Sequence, residues 1–138
     1  MNFSRIMIGG LAAGLVMNVL DFLTNAVWLG PEWAAAMKAC NLDPVALQAS
    51  TGLGWITFDF ICGFFLVWFY ASIRPRYGAG PRTALLAGFA LWFIVHAVLA
   101  SYIFMGYSSF SLVARAGIAE LGSALIGGLI GGWLYREK

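Results

Sequence analysis

Of the 138 residues, 62% are hydrophobic and 10% charged, and the mean hydropathy is +0.85. A soluble domain carries roughly 45–50% apolar and about 25% charged residues, and a chain this small cannot hide so much apolar surface from water. An ordinary soluble enzyme and a disordered chain are excluded, a net charge of +2 leaves no basic tract for nucleic acid, and an integral membrane protein remains.

A membrane-crossing helix needs about 20 mostly apolar residues. Four segments qualify: Ile6–Leu29, Gly54–Ile73, Thr83–Gly106 and Phe110–Tyr135. They predict an all-α, four-helix membrane bundle forming one domain over residues 1–138. Runs such as Ile61–Tyr70 and Ala84–Ala100 are apolar on every side, which fails the alternation of a transmembrane β-barrel. The first span is too long for a signal peptide, and Asn18, Asp21 and Asn25 interrupt its core.

Helical geometry sorts the polar residues of that first span. At about 100° per residue, Gly10, Gly14, Asp21 and Asn25 all fall within about 80° of Asn18. The opposite face holds Ala12, Val16, Val19, Leu20, Leu23 and Val27 and suits lipid. The polar stripe is therefore expected to face the other helices.

The long connection Gly30–Leu53 follows. Gly30-Pro31-Glu32 and Asp43-Pro44 are both helix-start signals. They predict one or two short helices on the membrane surface, the second over Val45–Ala49, with Trp28, Trp33 and Trp55 at headgroup level. Such a connector either covers the outer mouth of the bundle or merely joins two spans.

On the second span Asp59 aligns with Trp55, Cys62, Gly63, Leu66 and Tyr70. Arg74-Pro75-Arg76-Tyr77-Gly78 then reads as a tight basic turn, with Pro75 stopping the helix. On the third span the only histidine, His96, shares a stripe with Leu85, Phe89, Trp92, Leu99 and Ile103, which suits either lipid or core. On the fourth, Glu120 aligns with Ser123, Gly127 and Gly131, and Leu121, Leu125 and Leu129 face away. Arg115 lies about 140° from Glu120, so pairing is not expected, and its side chain is expected to snorkel to water.

Orientation follows Lys/Arg asymmetry in short loops. Arg5, Arg74, Arg76, Arg82, Arg136 and Lys138 share the side of the termini; Lys38 and Arg115 are on the other. Both termini are thus expected to be cytoplasmic, in a bacterial inner membrane. By rise per residue, Asn18, His96 and Glu120 lie within roughly 3 Å of the midplane, and Asp21 and Asp59 about 5–8 Å outward. The inner half is rich in glycine instead, with Gly10-x-x-x-Gly14 and Gly127-x-x-x-Gly131 permitting close helix approach. The expectation is a cup, tightly packed within and polar on its outer side.

Carboxylates in low dielectric bind protons or cations, since either relieves buried negative charge. Asn18, Asp21, Asn25, Asp59, His96 and Glu120 are the candidate ligand-binding residues, with His96 at the floor of the site. Asp21, Asp59, His96 and Glu120 are the candidates for a metal, although no His-x-x-x-His, Glu-x-x-His or Cys-x-x-Cys spacing accompanies them. The bound species expected is a cation, a proton or a small polar ligand; the alternatives are an accessory subunit of a larger membrane complex, a small metal-dependent membrane enzyme, or groups that only hydrogen-bond across helices and fix the bundle. No catalytic residue is singled out: Cys62 has no paired base, Cys40 is expected outside, and a lone His96 gives no haem ligation. No cofactor is named by the sequence. Besides the lipid bilayer, the expected partners are further copies of the chain or a larger membrane complex.

Three stretches carry a resemblance: Gly9-Gly10 with Asn18, Asp21 and Asn25; Trp33-Ala34-Ala35-Ala36-Met37-Lys38-Ala39; and Val67–Gly78, with its Ile-Arg-Pro-Arg-Tyr-Gly turn, followed by Gly80-Pro81-Arg82-Thr83-Ala84-Leu85. In these the chain resembles a group of small bacterial four-helix membrane proteins. The resemblance implies the four-span topology and an acid where Asp21 and Glu120 stand, and it implies no mechanism.

Overall fold

The computed structural model describes residues 1–136, so Lys138, counted above on the side of the termini, lies outside the described residues. The described residues form five α-helices: α1 (Phe3–Phe22), α2 (Gly30–Ala39), α3 (Pro44–Tyr77), α4 (Pro81–Phe104) and α5 (Phe110–Leu134). A π-helical turn, Leu23–Trp28, continues α1 and is marked by the Leu29 N–H bonding to the Thr24 carbonyl at 2.8 Å. Four helices are long and apolar enough to cross a membrane: α1 with its π-turn, α3, α4 and α5. The protein is an all-α four-helix bundle, with α2 outside the spans.

Side-chain oxygens start three of these helices. Asn2 accepts from the Arg5 N–H at 3.2 Å, Asp43 from Val45 at 2.9 Å and Ser109 from Leu112 at 3.2 Å. Each satisfies a first-turn N–H that has no partner within the helix.

The sequence expectation needs correction in α3. No break separates Val45–Ala49 from the span, and Pro75 does not end it; one 34-residue helix runs through both. Its length, about 51 Å, exceeds the roughly 30 Å hydrocarbon core, so the Asp43-capped end projects beyond it. Pro75 is tolerated because it removes a single backbone donor in the last turns. The helix stops at Gly78, where φ is +86°, a conformation open to glycine and strained for other residues.

Around the bundle the order is α3, α1, α5, α4. The α1 contacts with α3 and α5 and the α4–α5 contact are the most extensive, and α3 meets α4 more sparsely. In the half that carries the termini these contacts are backbone to backbone. A Cβ on Gly63 would stand 2.6 Å from the Gly10 carbonyl oxygen and 2.7 Å from the Gly14 Cα. A Cβ on Gly9 would stand 2.7 Å from the Gly131 carbonyl oxygen, and one on Gly128 2.8 Å from that of Ala84. Leu66, Val67 and Tyr70 fill the interior between them, with Ala13, Met17 and Ala87. Tyr70 and Tyr135 meet edge to face at this end, beneath Arg74. A second, smaller core of Leu29, Leu112 and Ala116 lies at the other end, packed against Trp33 and Ala36 of α2.

Candidate functional site

The polar stripe of α1 faces the bundle, but its members part company. Asn18 donates to the Gly14 carbonyl at 2.9 Å and to that of Ile56 on α3 at 3.2 Å. Its amide donors thus tie α1 to α3 instead of reaching the carboxylates. Asp21, one turn further on, turns toward α5, where it faces Ser123 and senses the charge of Glu120. Asp59 on α3 senses both Asp21 and Glu120. Three carboxylates from three helices thereby influence one another electrostatically, as they do the buried thiol of Cys62 on the face of Asp59.

Glu120 is the hub. One carboxylate oxygen accepts from the Asn25 amide at 3.2 Å, and the other lies 3.5 Å from Nδ1 of His96. Asn25 in turn accepts from the indole N–H of Trp33 at 3.0 Å. A polar chain Trp33–Asn25–Glu120–His96 therefore links α2, the π-turn, α5 and α4. The π-turn sits where Asn25 must meet both α2 and α5; such local widenings of a helix are frequent at functional positions.

The His96 ring faces inward and occupies the space that Gly117 leaves by having no side chain. Trp92 stacks on it, with ring centroids 5.5 Å apart and planes 9° from parallel, and its indole N–H donates to the Gly117 carbonyl at 2.8 Å. His96 and Trp92 therefore face α5, while Leu85 and Phe89 of the same stripe remain exposed.

Arg115 does not snorkel freely. Its guanidinium makes a two-pronged pair with Glu32 of α2, with Nη1 2.8 Å from Oε1 and Nη2 on Oε2. The Arg115 partner holds the Glu32 carboxyl below its ordinary value. Among the described residues, no Lys or Arg pairs with Asp21, Asp59 or Glu120.

Trp33 packs on Leu29, Leu112 and Ala116 and bonds Asn25. With the Glu32 pair, it fastens α2 over this end of the bundle. Within the site, Asp21 Oδ1, His96 Nδ1 and Ser123 Oγ are buried without a hydrogen bond of ordinary geometry. Ser123 is only 2% exposed, and its hydroxyl is aimed at Asp21.

Asn25 and His96 thus meet at Glu120, Asp21 and Asp59 are coupled to it electrostatically, and Asn18 is diverted to the α1–α3 contact. Among the described residues no three His, Cys, Asp or Glu side chains are arranged to hold one metal ion. Trp33, Trp92 and Ser123 join the site without having been singled out as site residues. Ser123, three residues after Glu120, and Trp92, four before His96, were within reach of helical spacing; Trp33 was not, because its position depends on the π-turn. Compared with models of known protein families, with curated proteins and with solved structures, the chain matches none.

Proposed function

We propose that this small membrane protein holds an exchangeable proton or small monovalent cation in an intramembrane site formed by Asp21, Asp59 and Glu120. One observation carries the reading: three carboxylates from three helices are electrostatically coupled and, among the described residues, none has a Lys or Arg partner, while Arg115 is committed to Glu32. Buried charge is costly unless it is paired or wet, so such a cluster calls for a proton or cation from outside the chain. The donor arrangement favours these over a multiply coordinated divalent metal. The Ser123 hydroxyl, facing Asp21, and His96 Nδ1, 3.5 Å from Glu120, supply further polar atoms around the same space. In this reading α2 covers the site on the outer side. The arginines gathered at the opposite end support a reading in which both termini face the cytoplasm of a bacterial inner membrane.

Acid–base titration of the purified full-length protein in detergent tests the proposal. Asp21→Asn and Glu120→Gln are expected to alter the titration of the remaining cluster carboxylates as well as removing one group each, since coupled groups titrate together. Asp43→Asn, at an exposed helix cap away from the cluster, should leave the titration of the cluster carboxylates unchanged. Simple, independent loss of one group in all three variants contradicts the reading and leaves the cluster a structural contact.

A further inference from the structure

At the end of the bundle that carries the termini, a cleft of about 440 Å³ opens between the end of α3, the start of α4 and the end of α5. Its walls are Tyr70, Pro81, Ala84, Leu129, Ile130 and Trp133, and they are almost wholly apolar. The glycines here keep the helices slim: Gly132 lines the cleft, and a Cβ on it would already reach 3.1 Å from Ala84 Cβ. The rim is fixed by the Gly80 N–H, which donates to the Tyr70 hydroxyl at 3.2 Å. In a membrane-spanning bundle, a lateral apolar cleft at this depth is open to acyl chains.

Among the described residues the charge at its mouth is basic. Arg82 follows Pro81 directly on the lip, Arg76 lies in the last turn of α3, and Arg136 follows the end of α5; all three are exposed. Among the described residues, every Asp and Glu side chain lies at the middle of the bundle or toward its other end. Trp133 is 73% exposed beside the cleft, where an amphipathic indole suits the headgroup level.

We propose that this cleft is a site for an anionic phospholipid: one acyl chain lies between α4 and α5, and the phosphate rests on Arg82, with Arg76 and Arg136 completing the charge. Basic pockets between spans, one apolar wall deep, are the arrangement that recognises an acidic headgroup. The site is separate from the carboxylate cluster, at the opposite end of the same helices.

The test is native mass spectrometry of the full-length protein, delipidated in detergent and titrated with phosphatidylglycerol or phosphatidylcholine of identical chains. The wild type should retain phosphatidylglycerol about fivefold or more over phosphatidylcholine, and Arg82→Gln with Arg136→Gln should abolish that preference while leaving phosphatidylcholine binding unchanged. Ile130→Trp, which fills the cleft from its open side, should reduce retention of both lipids. Arg5→Gln, at the same end but on α1 and away from the cleft, should change neither. Equal retention of the two lipids by the wild type overturns the proposal. So does an effect of Arg5→Gln as large as that of the cleft arginines, which would mean diffuse attraction to a positive end. Displacement of the bound lipid by inorganic phosphate at matched concentration would also overturn it, because the acyl chain would then contribute nothing.

Discussion

The two ends of this bundle are built from the same helices by opposite means. Toward the termini, glycine on α1, α3, α4 and α5 lets backbone meet backbone, with Gly63 against Gly10 and Gly14 and Gly9 against Gly131. Toward α2, the contacts are between polar side chains: Asn25 on Glu120, Trp33 on Asn25, Glu32 on Arg115. The first kind of contact rests on dispersion between atoms that approach closely, which is how helices associate where lipid removes the hydrophobic driving force. The second leaves carboxylates unsatisfied between helices. Packing and chemistry are thus separated along the length of each span, so a change at one end should be readable without a change at the other.

The glycine end should be the more sensitive to added volume. Gly63→Leu places side-chain atoms into the backbone of α1 from both sides, and overpacking of this kind costs about 3 kcal/mol. Thermal unfolding in detergent should show a large drop in midpoint, whereas Val19→Phe, on an exposed face of α1, should leave it nearly unchanged. Equal tolerance of the two would mean that the glycine contact does not hold the bundle.

The polar end should give smaller effects that are local. Trp33→Phe keeps the aromatic packing on Leu29 and Leu112 but removes the indole donor to Asn25, a loss of about 1 kcal/mol. Hydrogen–deuterium exchange should rise in α2 and the π-turn and stay unchanged in α3 and α5 near Gly63 and Gly131. A rise spread evenly over the bundle would erase the distinction between the ends.

The smallest effect belongs to the Glu32–Arg115 pair. Arg115 lowers the Glu32 carboxyl below its ordinary value, so folding gains from the pair above that value and loses the gain as pH falls through the lowered one. Exchange protection of α2 should therefore hold from neutral pH down to the ordinary glutamate range and weaken only in stronger acid. Glu32→Gln should remove that acid dependence. Because both side chains remain well exposed, its effect at neutral pH should be slight, and smaller still in high salt.

How much of this could be read from sequence follows from what each feature depends on. Four spans are legible because apolar length alone decides them, and the glycine stripes and the inward faces of Asp21 and Glu120 follow from one angular step per residue. The same step also places Asn25, which reaches Glu120, but it does not reveal the π-turn around that residue, whose i−5 bond no composition signals. Everything that hangs on that turn was hidden with it: the direction of α2, the indole of Trp33 on Asn25, and the arrival of Glu32 at Arg115. His96 was ambiguous because its stripe is bulky and serves lipid or core equally well; the empty place at Gly117, on another helix, decided it. Pro75 misled because a proline that breaks a helix interior is tolerated in its last turns, where Gly78 provides the true stop. Asn18 lay on the right face but at the depth where α1 and α3 are closest, and the nearest acceptor there is a backbone carbonyl.

The central claim is that Asp21, Asp59 and Glu120 act together as an exchangeable site reached from the α2 end. Infrared difference spectroscopy on uniformly oriented vesicles, with Asp and Glu side-chain carboxyls carbon-13 labelled, addresses it directly by stepping pH on one side at a time. The account predicts carboxyl-band changes when pH is stepped on the α2 side, no such change from the side of the termini, and loss of the signal in the Asp21→Asn, Glu120→Gln double variant. Bands that ignore pH on the α2 side, or that persist in the double variant, would contradict it.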